Sequence, residues 1–286
     1  MTDSVLNRLS VLSQYLVPQH LLSRFMGLLA DSRVPEIRNT LVDFFVKRYN
    51  IDMSIAAEPD PHAYATFNDF FTRALREGVR PITDSGVACP ADGAVSQAGK
   101  IDDERIFQAK GQHYTLTQLL GGDAARAAPF RHGDFATIYL SPRDYHRVHM
   151  PYSGVLKEMI YVPGKLFSVN TLTAQQVPAL FARNERVVAI FDTDVGPMAV
   201  ILVGAMIVAS VETVWAGLVT PPKRQLKVTD YSQPQQIRLE RGDEMGRFKL
   251  GSTAVVLFGP GVVKWSETVR EGAPTRMGEQ IGTFLR

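Results

Sequence analysis

A chain of 286 residues, 45% apolar and 21% charged with 22 Gly and 17 Pro, has ordinary globular composition, which excludes a disordered, collagen-like or coiled-coil chain. Its length suits one large domain or a domain with a helical appendage. With 31 basic against 29 acidic residues the net charge is only +2, too little for the strong positive field of a nucleic-acid binder, so no nucleic-acid partner is expected. The single cysteine, Cys89, rules out an intramolecular disulfide and a multi-thiolate zinc site, and a reducing, cytoplasmic setting is expected.

The opening MTDSVLNRLSVLSQYLVPQHLLSRF mixes polar residues into every turn, unlike a secretory signal. Val5, Leu9, Leu12 and Leu16 fall at helical spacing, and Pro18 ends the run. Leu21, Leu22, Phe25, Met26, Leu28 and Leu29 predict a second apolar-rich helix, and Ile37, Leu41, Phe44 and Phe45 a third. Two readings of this region are compatible: a helical bundle packing on the body, and an amphipathic surface lying in a membrane interface. Thr66–Glu77 (TFNDFFTRALRE) predicts a further helix with Phe67, Phe70, Phe71 and Leu75 on its core face.

Beyond Pro90 the pattern changes to short runs rich in β-branched residues: 135–140, 155–162, 187–191, 200–203, 207–214, 253–258 and 262–265. Asp92-Gly93, Pro163-Gly164, Gly196-Pro197 and Gly259-Pro260-Gly261 punctuate them. Between them, Thr115 and Gln118 are spaced as a capping box for a short helix that Gly121-Gly122 would stop. The longest apolar stretch, 197–209, falls short of the roughly 20 residues that cross a bilayer and reads as one or two buried strands. The predicted class is α+β: an N-terminal helical, membrane-associating region over residues 1–80, then a mainly β catalytic domain over 81–286.

Three segments carry polar residues suited to chemistry: CPADGAV (89–95), SPRDYHRVHMP (141–151) and FKLGSTAVVLF (248–258). Each also has a plain structural explanation, since Asp-Gly is a common turn and Gly251-Ser252 could simply lead into a strand. His146 and His149 sit in a segment whose alternation and closing Pro151 predict an extended chain. No neighbouring Cys, His or Glu completes a zinc-site spacing around them, so no metal is expected. Asp92, His149 and Ser252 supply the residue types of a Ser-His-Asp triad. The Gly-x-Ser-x-Gly elbow of a serine hydrolase is missing, because Ser252 follows Gly251 directly and Ala254 stands where the second glycine belongs. Spacing alone leaves that triad open.

Leu250-Gly251-Ser252-Thr253, Pro90-Ala91-Asp92-Gly93, Tyr145-His146-Arg147-Val148-His149-Met150-Pro151 and Phe181-Ala182-Arg183-Asn184-Glu185-Arg186 together closely resemble the phosphatidylserine decarboxylases, and the helical N-terminus resembles their longer bacterial type. The resemblance implies a proenzyme that cleaves itself between Gly251 and Ser252, converting Ser252 into a covalent pyruvoyl group, the only cofactor. It implies His149 as the base that activates Ser252, and Asp92 as the carboxylate that holds His149. In the mature reaction it implies a Schiff base between the pyruvoyl carbonyl and phosphatidylserine, loss of carbon dioxide, and phosphatidylethanolamine as product, with His146 as proton donor. Expected partners are the phosphatidylserine substrate, an anionic membrane surface, and the two cleavage products held as a heterodimer or a higher oligomer. The expected location is peripheral, on the cytoplasmic face of the inner membrane. Three rivals remain at this point: a pyruvoyl decarboxylase of a small soluble amino acid, a lipid-surface binding protein with a vestigial triad, and a serine hydrolase.

Overall fold

A computed structural model describes residues 11–206, 210–219, 225–232, 236–249 and 252–285. Leu250, Gly251, Val5 and Leu9, together with residues 207–209 of one predicted strand, lie outside that set.

The core is one large antiparallel sheet. Its strands run in the spatial order Lys227–Asp230, Gly154–Val162, Arg186–Thr193, Gly196–Gly204, Ser252–Phe258, Asp134–Leu140, Gly93–Lys100 and Pro274–Thr275, with Arg238–Leu239 also pairing with Gly154–Val162. The predicted runs 135–140, 155–162, 187–191, 200–203 and 253–258 fall on these strands because β-branched side chains pack well on a pleated, buried surface, whereas Ser210–Thr213 and Val263–Trp265 belong to two smaller sheets. Ser252–Phe258 is the central example. All seven residues are buried, and the strand pairs along its whole length with Asp134–Leu140 on one side and Gly196–Gly204 on the other.

Alternation along this strand divides the core into two layers. Val255 and Leu257 join Phe135, Ile201 and Val203 on one face, under the short helices Leu116–Leu119 and Leu180–Arg183. Ala254, Val256 and Phe258 join Ile138, Leu140, Leu202 and Phe248 on the other. By the same alternation Ser252 points to the second face, towards Cys89, Ala91, Val148 and Met150. The capping box at Thr115 and Gln118 is present, and Gly121 and Gly122 end its helix at φ +91° and +90°, conformations that disfavour a side chain.

Two sequence expectations are corrected here. The helix predicted over Thr66–Glu77 spans only Phe67–Phe71, capped by the Thr66 side chain. Beyond Thr72 the backbone opens out instead: Ala57 N–H donates to the Ala74 carbonyl and Arg76 N–H to that of Ile55, so Leu75 sits in an isolated β-bridge with Ala56. Long-range backbone pairing has overridden local helical periodicity. Phe67, Phe70 and Phe71 are buried as expected, in a small cluster with Ala30, Val42 and Ile51. Asp92-Gly93 is not a hairpin turn either: Val87–Ala88 belongs to a different sheet from Gly93–Lys100.

The helix Pro35–Tyr49 packs Leu41 and Phe45 on the small cluster as expected, whereas Gln19–Ala30 leaves most of its apolar stripe outside the core. Gln19–Ala30 turns Gln19, Ser23, Gly27 and Ala30 inward, while Leu21, Phe25 and Leu28 are 67%, 57% and 75% exposed. Leu16 in the preceding helical residues is 88% exposed. Polar side chains do the docking. Leu166 N–H donates to Gln19 Oε1 at 2.8 Å, Ser168 N–H to Gln14 Oε1 at 3.0 Å, and Arg183 lies over the rings of Tyr15 and Phe167. Among the described residues no helix is long and apolar enough to cross a membrane.

Candidate active site

Three chain segments meet at one end of the large sheet. Ser252 opens its strand between Gly204 and Leu140. Leu140 leads directly into the 141–149 segment, whose first bend is closed by Asp144: its Oδ2 accepts from both the N–H and the hydroxyl of Ser141 at 2.7 Å. Arg147–His149 then pairs with Glu244–Lys249, the strand that runs towards Ser252, and Phe248 N–H donates to the His146 carbonyl at 3.0 Å. Gly93 lies against the carbonyl of Tyr139, where any Cβ would collide with that oxygen. This glycine permits the approach that brings Asp92 to the same sheet end.

The two histidines are held as neutral rings of defined tautomer. His149 Nδ1 lies 2.8 Å from the Gly242 carbonyl oxygen, which can only accept, so Nδ1 carries the hydrogen. Nε2 is therefore the acceptor of the Tyr145 hydroxyl at 2.9 Å. Burial lowers the pKa of His149, opposed by the Gly242 hydrogen bond and the field of Glu244. His146 is fully buried, stacked 4.0 Å from the Phe71 ring, with Nδ1 2.7 Å from the Asp144 carbonyl oxygen. Burial pushes its pKa down to about 3. Its Nε2 holds a bare lone pair with no hydrogen-bond partner.

Asp92 sits in a different bond network from the one the sequence suggests. Arg80 grips both carboxylate oxygens, with Nε 3.0 Å from Oδ1 and Nη2 2.6 Å from Oδ2, and the Met277 N–H donates to Oδ1 at 2.8 Å. No hydrogen bond joins Asp92 to His149. The Gly242 carbonyl fixes the histidine's tautomer, and Asp92 acts on the ring only through its charge, which favours the protonated imidazole. Cys89, two residues before the Ala91 carbonyl that accepts its thiol hydrogen, has its pKa pushed up to about 12 by burial and is unsuited to act as a thiolate.

Ser252 is fully buried and its hydroxyl has no hydrogen-bond partner among the described residues. A buried hydroxyl left unpaired costs about 1–3 kcal/mol. Sequence reasoning did not find Arg80, Tyr145 or Gly242 as partners of the candidate residues. Tyr145 lay inside a quoted motif, but Arg80 and Gly242 reach the site from distant loops with no periodic signal. The motif 181–186 braces the site from behind: Asn184 donates to the carbonyls of Phe167 and Gly204, and Gly204 is the strand partner of Ser252. Among the described residues no three His, Cys, Asp or Glu side chains are grouped to hold a metal.

The family model for phosphatidylserine decarboxylase matches residues 67–283, a span that includes Asp92, His146, His149 and Ser252. The chain belongs to the phosphatidylserine decarboxylase family. It is 65% identical over 280 residues to the phosphatidylserine decarboxylase proenzyme of Bordetella avium, covering 97% of this chain and 95% of that one. It is 62% identical to the proenzyme of Ectopseudomonas mendocina, covering 96% and 98%, and 61% identical to that of Pseudomonas fluorescens, covering 97% and 98%. A second model, named PSD, matches residues 9–50, over the helices Gln19–Ala30 and Pro35–Tyr49. Membership in this decarboxylase family therefore extends over both the β domain and the helical N-terminus.

Proposed function

We propose that this chain is a proenzyme that cuts itself between Gly251 and Ser252 and then decarboxylates phosphatidylserine to phosphatidylethanolamine, with Ser252 as the source of a pyruvoyl group. The observation that carries this reading is the Ser252 hydroxyl, sealed from solvent and left without a partner at the first residue of a central strand. An unpaired hydroxyl at the residue that follows Gly251 is free to act as a nucleophile on the peptide bond before it. The site also fits the prosthetic group: a small side chain between Gly204 and Leu140, with a neutral histidine's bare nitrogen on the adjoining segment, suits a carbonyl that must accept an amine and exchange protons.

For self-cleavage the Ser252 oxygen attacks the carbonyl carbon of Gly251. The C–N bond breaks as the C–O bond forms, and the serine nitrogen takes up a proton. Elimination across the Ser252 Cα–Cβ bond then releases the upstream chain as a Gly251 carboxylate, and water replaces the nitrogen as ammonia leaves. His149 takes the hydroxyl proton at Nε2, which requires the Tyr145 hydrogen bond to be surrendered first. Asp92 and Glu244 favour the imidazolium that results. The pyruvoyl group, once present, supplies an electron sink for the pair left by departing carbon dioxide. His146, with its bare Nε2, takes up a proton before it returns one to the substrate carbon.

Residues 1–80 serve as the membrane-associating region and 81–286 as the catalytic domain, although Phe71 and Arg80 of the first segment touch His146 and Asp92. The outward apolar side chains Leu12, Leu16, Leu21, Phe25 and Leu28 suit peripheral attachment to the cytoplasmic face of the inner membrane. Ser252–Phe258 is hydrogen-bonded on both sides to the upstream chain, so the two products stay together as a heterodimer.

Intact-mass spectrometry of the purified protein tests the reading. Two chains corresponding to residues 1–251 and 252–286, the second resistant to Edman sequencing, are expected. An uncut chain of 286 residues, or a free serine at the new N-terminus, overturns it and leaves a lipid-surface binding protein.

A further inference from the structure

Among the described residues two arginines, Arg73 and Arg186, are almost completely buried, and they are treated differently. Arg186 is saturated: its guanidinium donates to the carbonyls of Leu119, Ala182, Asn184 and Gln118. Arg73 is 2% exposed, yet among the described residues its only hydrogen bond runs from Nη2 to the Arg143 carbonyl at 3.3 Å. Nε and Nη1 are buried without partners, and no carboxylate among the described residues lies within ion-pair distance. The Phe70 ring lies 5.7 Å from its Cζ. Leaving a buried cation unpaired is among the most destabilising arrangements a fold can contain.

Its position says what would pair with it. Arg73 follows the helix Phe67–Phe71, whose last residue stacks on His146, and it bonds to the loop that carries Asp144 and Tyr145. Its charge disfavours protonation of His146. An anion taken up by Arg73 would therefore lie beside the reacting atoms. The second hydrogen of Nη2 lies beside either Nε–H or an Nη1–H, so the planar guanidinium can still match an oxyanion bidentately while Nη2 keeps its bond to the Arg143 carbonyl.

We propose that Arg73 binds the phosphodiester of the substrate headgroup. This inference deepens the decarboxylase reading and rests on it. The headgroup carries two oxyanions, and the chemistry separates them. An arginine on the carboxylate would stabilise the charge that must leave as carbon dioxide, holding the ground state more tightly than the transition state. The phosphodiester keeps its single charge throughout. It is joined to the reacting carbon through one methylene and one oxygen, a reach that suits an arginine two residues beyond Phe71, the ring that packs on His146, and bonded to the loop that leads into His146. Binding there fixes the headgroup and contributes equally to ground and transition states.

The test compares the full-length wild type with Arg73→Gln and Arg73→Lys in mixed micelles of phosphatidylserine and neutral detergent. It reads self-cleavage on gels, KM and kcat for carbon dioxide release, and inhibition by phosphatidylethanolamine, which has the phosphodiester but no carboxylate. For Arg73→Gln, KM should rise roughly ten- to a hundredfold, with kcat little changed and phosphatidylethanolamine inhibition weakened by a similar factor. Arg73→Lys should recover part of the loss while self-cleavage proceeds in both. A raised KM with unchanged phosphatidylethanolamine inhibition places Arg73 on the carboxylate and overturns the inference. So does a loss confined to kcat, or an uncut precursor in both variants, which assigns Arg73 to processing or to the fold. A wild type that releases no carbon dioxide overturns the parent reading, whereas an active wild type with variants of normal KM overturns this inference alone.

Discussion

The Tyr145 hydroxyl donates to Nε2 of His149 across 2.9 Å, while Nδ1 of the same ring donates to the Gly242 carbonyl at 2.8 Å. The lone pair that would deprotonate Ser252 is thus occupied, and a single side chain controls its release. Tyr145→Phe should speed self-cleavage about fivefold, the worth of one net hydrogen bond near 1 kcal/mol. A time course of precursor disappearance measures this, and slower cleavage in the variant would make the tyrosine part of the proton path.

The division of labour between the histidines is tested in the same assay. Ser252→Ala should abolish cleavage, and His149→Ala should slow it by roughly 10²–10⁴-fold. His146→Ala should still cut yet release little carbon dioxide. If His149→Ala is processed and His146→Ala stays intact, the two roles are exchanged, an outcome for which the bare Nε2 of His146 is already poised.

Arg80 and Asp92 form a paired, largely buried couple. Removing one partner of such a pair leaves the other charge stranded at a cost of about 3–5 kcal/mol. Arg80→Ala should therefore lower the urea midpoint and slow self-cleavage together, with Arg80→Lys intermediate because it loses the two-pronged contact. Unchanged stability in Arg80→Ala would show that Asp92 finds another partner.

His146 gives the fold a pH dependence of defined sign. Burial pushes its folded pKa down to about 3, below the ordinary histidine value of 6.5. The unfolded chain binds the proton throughout that interval and the folded protein does not. The stability is complete above 6.5 and is lost as pH falls towards 3, at up to about 1.4 kcal/mol per pH unit. His149, also lowered, acts in the same direction. Urea titrations at neutral and mildly acidic pH should show a smaller acid loss in His146→Gln than in wild type; equal losses would mean that His146 is protonated in the fold.

Leu16, Leu21, Phe25 and Leu28 contribute little to the core because they face outward. Replacing all four with Glu should change folding stability by no more than about 0.5 kcal/mol per site, while abolishing co-sedimentation with anionic vesicles. These substitutions are a cleaner probe than deleting residues 1–30, which would also remove Gln14 and Gln19 from their contacts with Ser168 and Leu166. Undiminished co-sedimentation would place the lipid-facing surface elsewhere.

The sequence by itself determined the features that depend on local pattern. Five of the seven β-branched runs became strands of the large sheet, Thr115 and Gln118 formed their capping box, and the motifs around Asp92, His146, His149 and Ser252 marked the family. Only the tertiary structure decided which face each helix buries, because the apolar stripe of Gln19–Ala30 found no core to enter and polar side chains docked the helix instead. It shortened the helix after Phe71, since backbone pairing to Ile55 and Ala57 satisfies groups that a longer helix would otherwise have satisfied. It also assigned partners: Arg80 to Asp92, Gly242 and Tyr145 to His149, and none to most of the Arg73 guanidinium. Those pairings join residues up to 93 positions apart, and they exist only once the chain's entropy has been overcome and the sheet has brought its loops to one end.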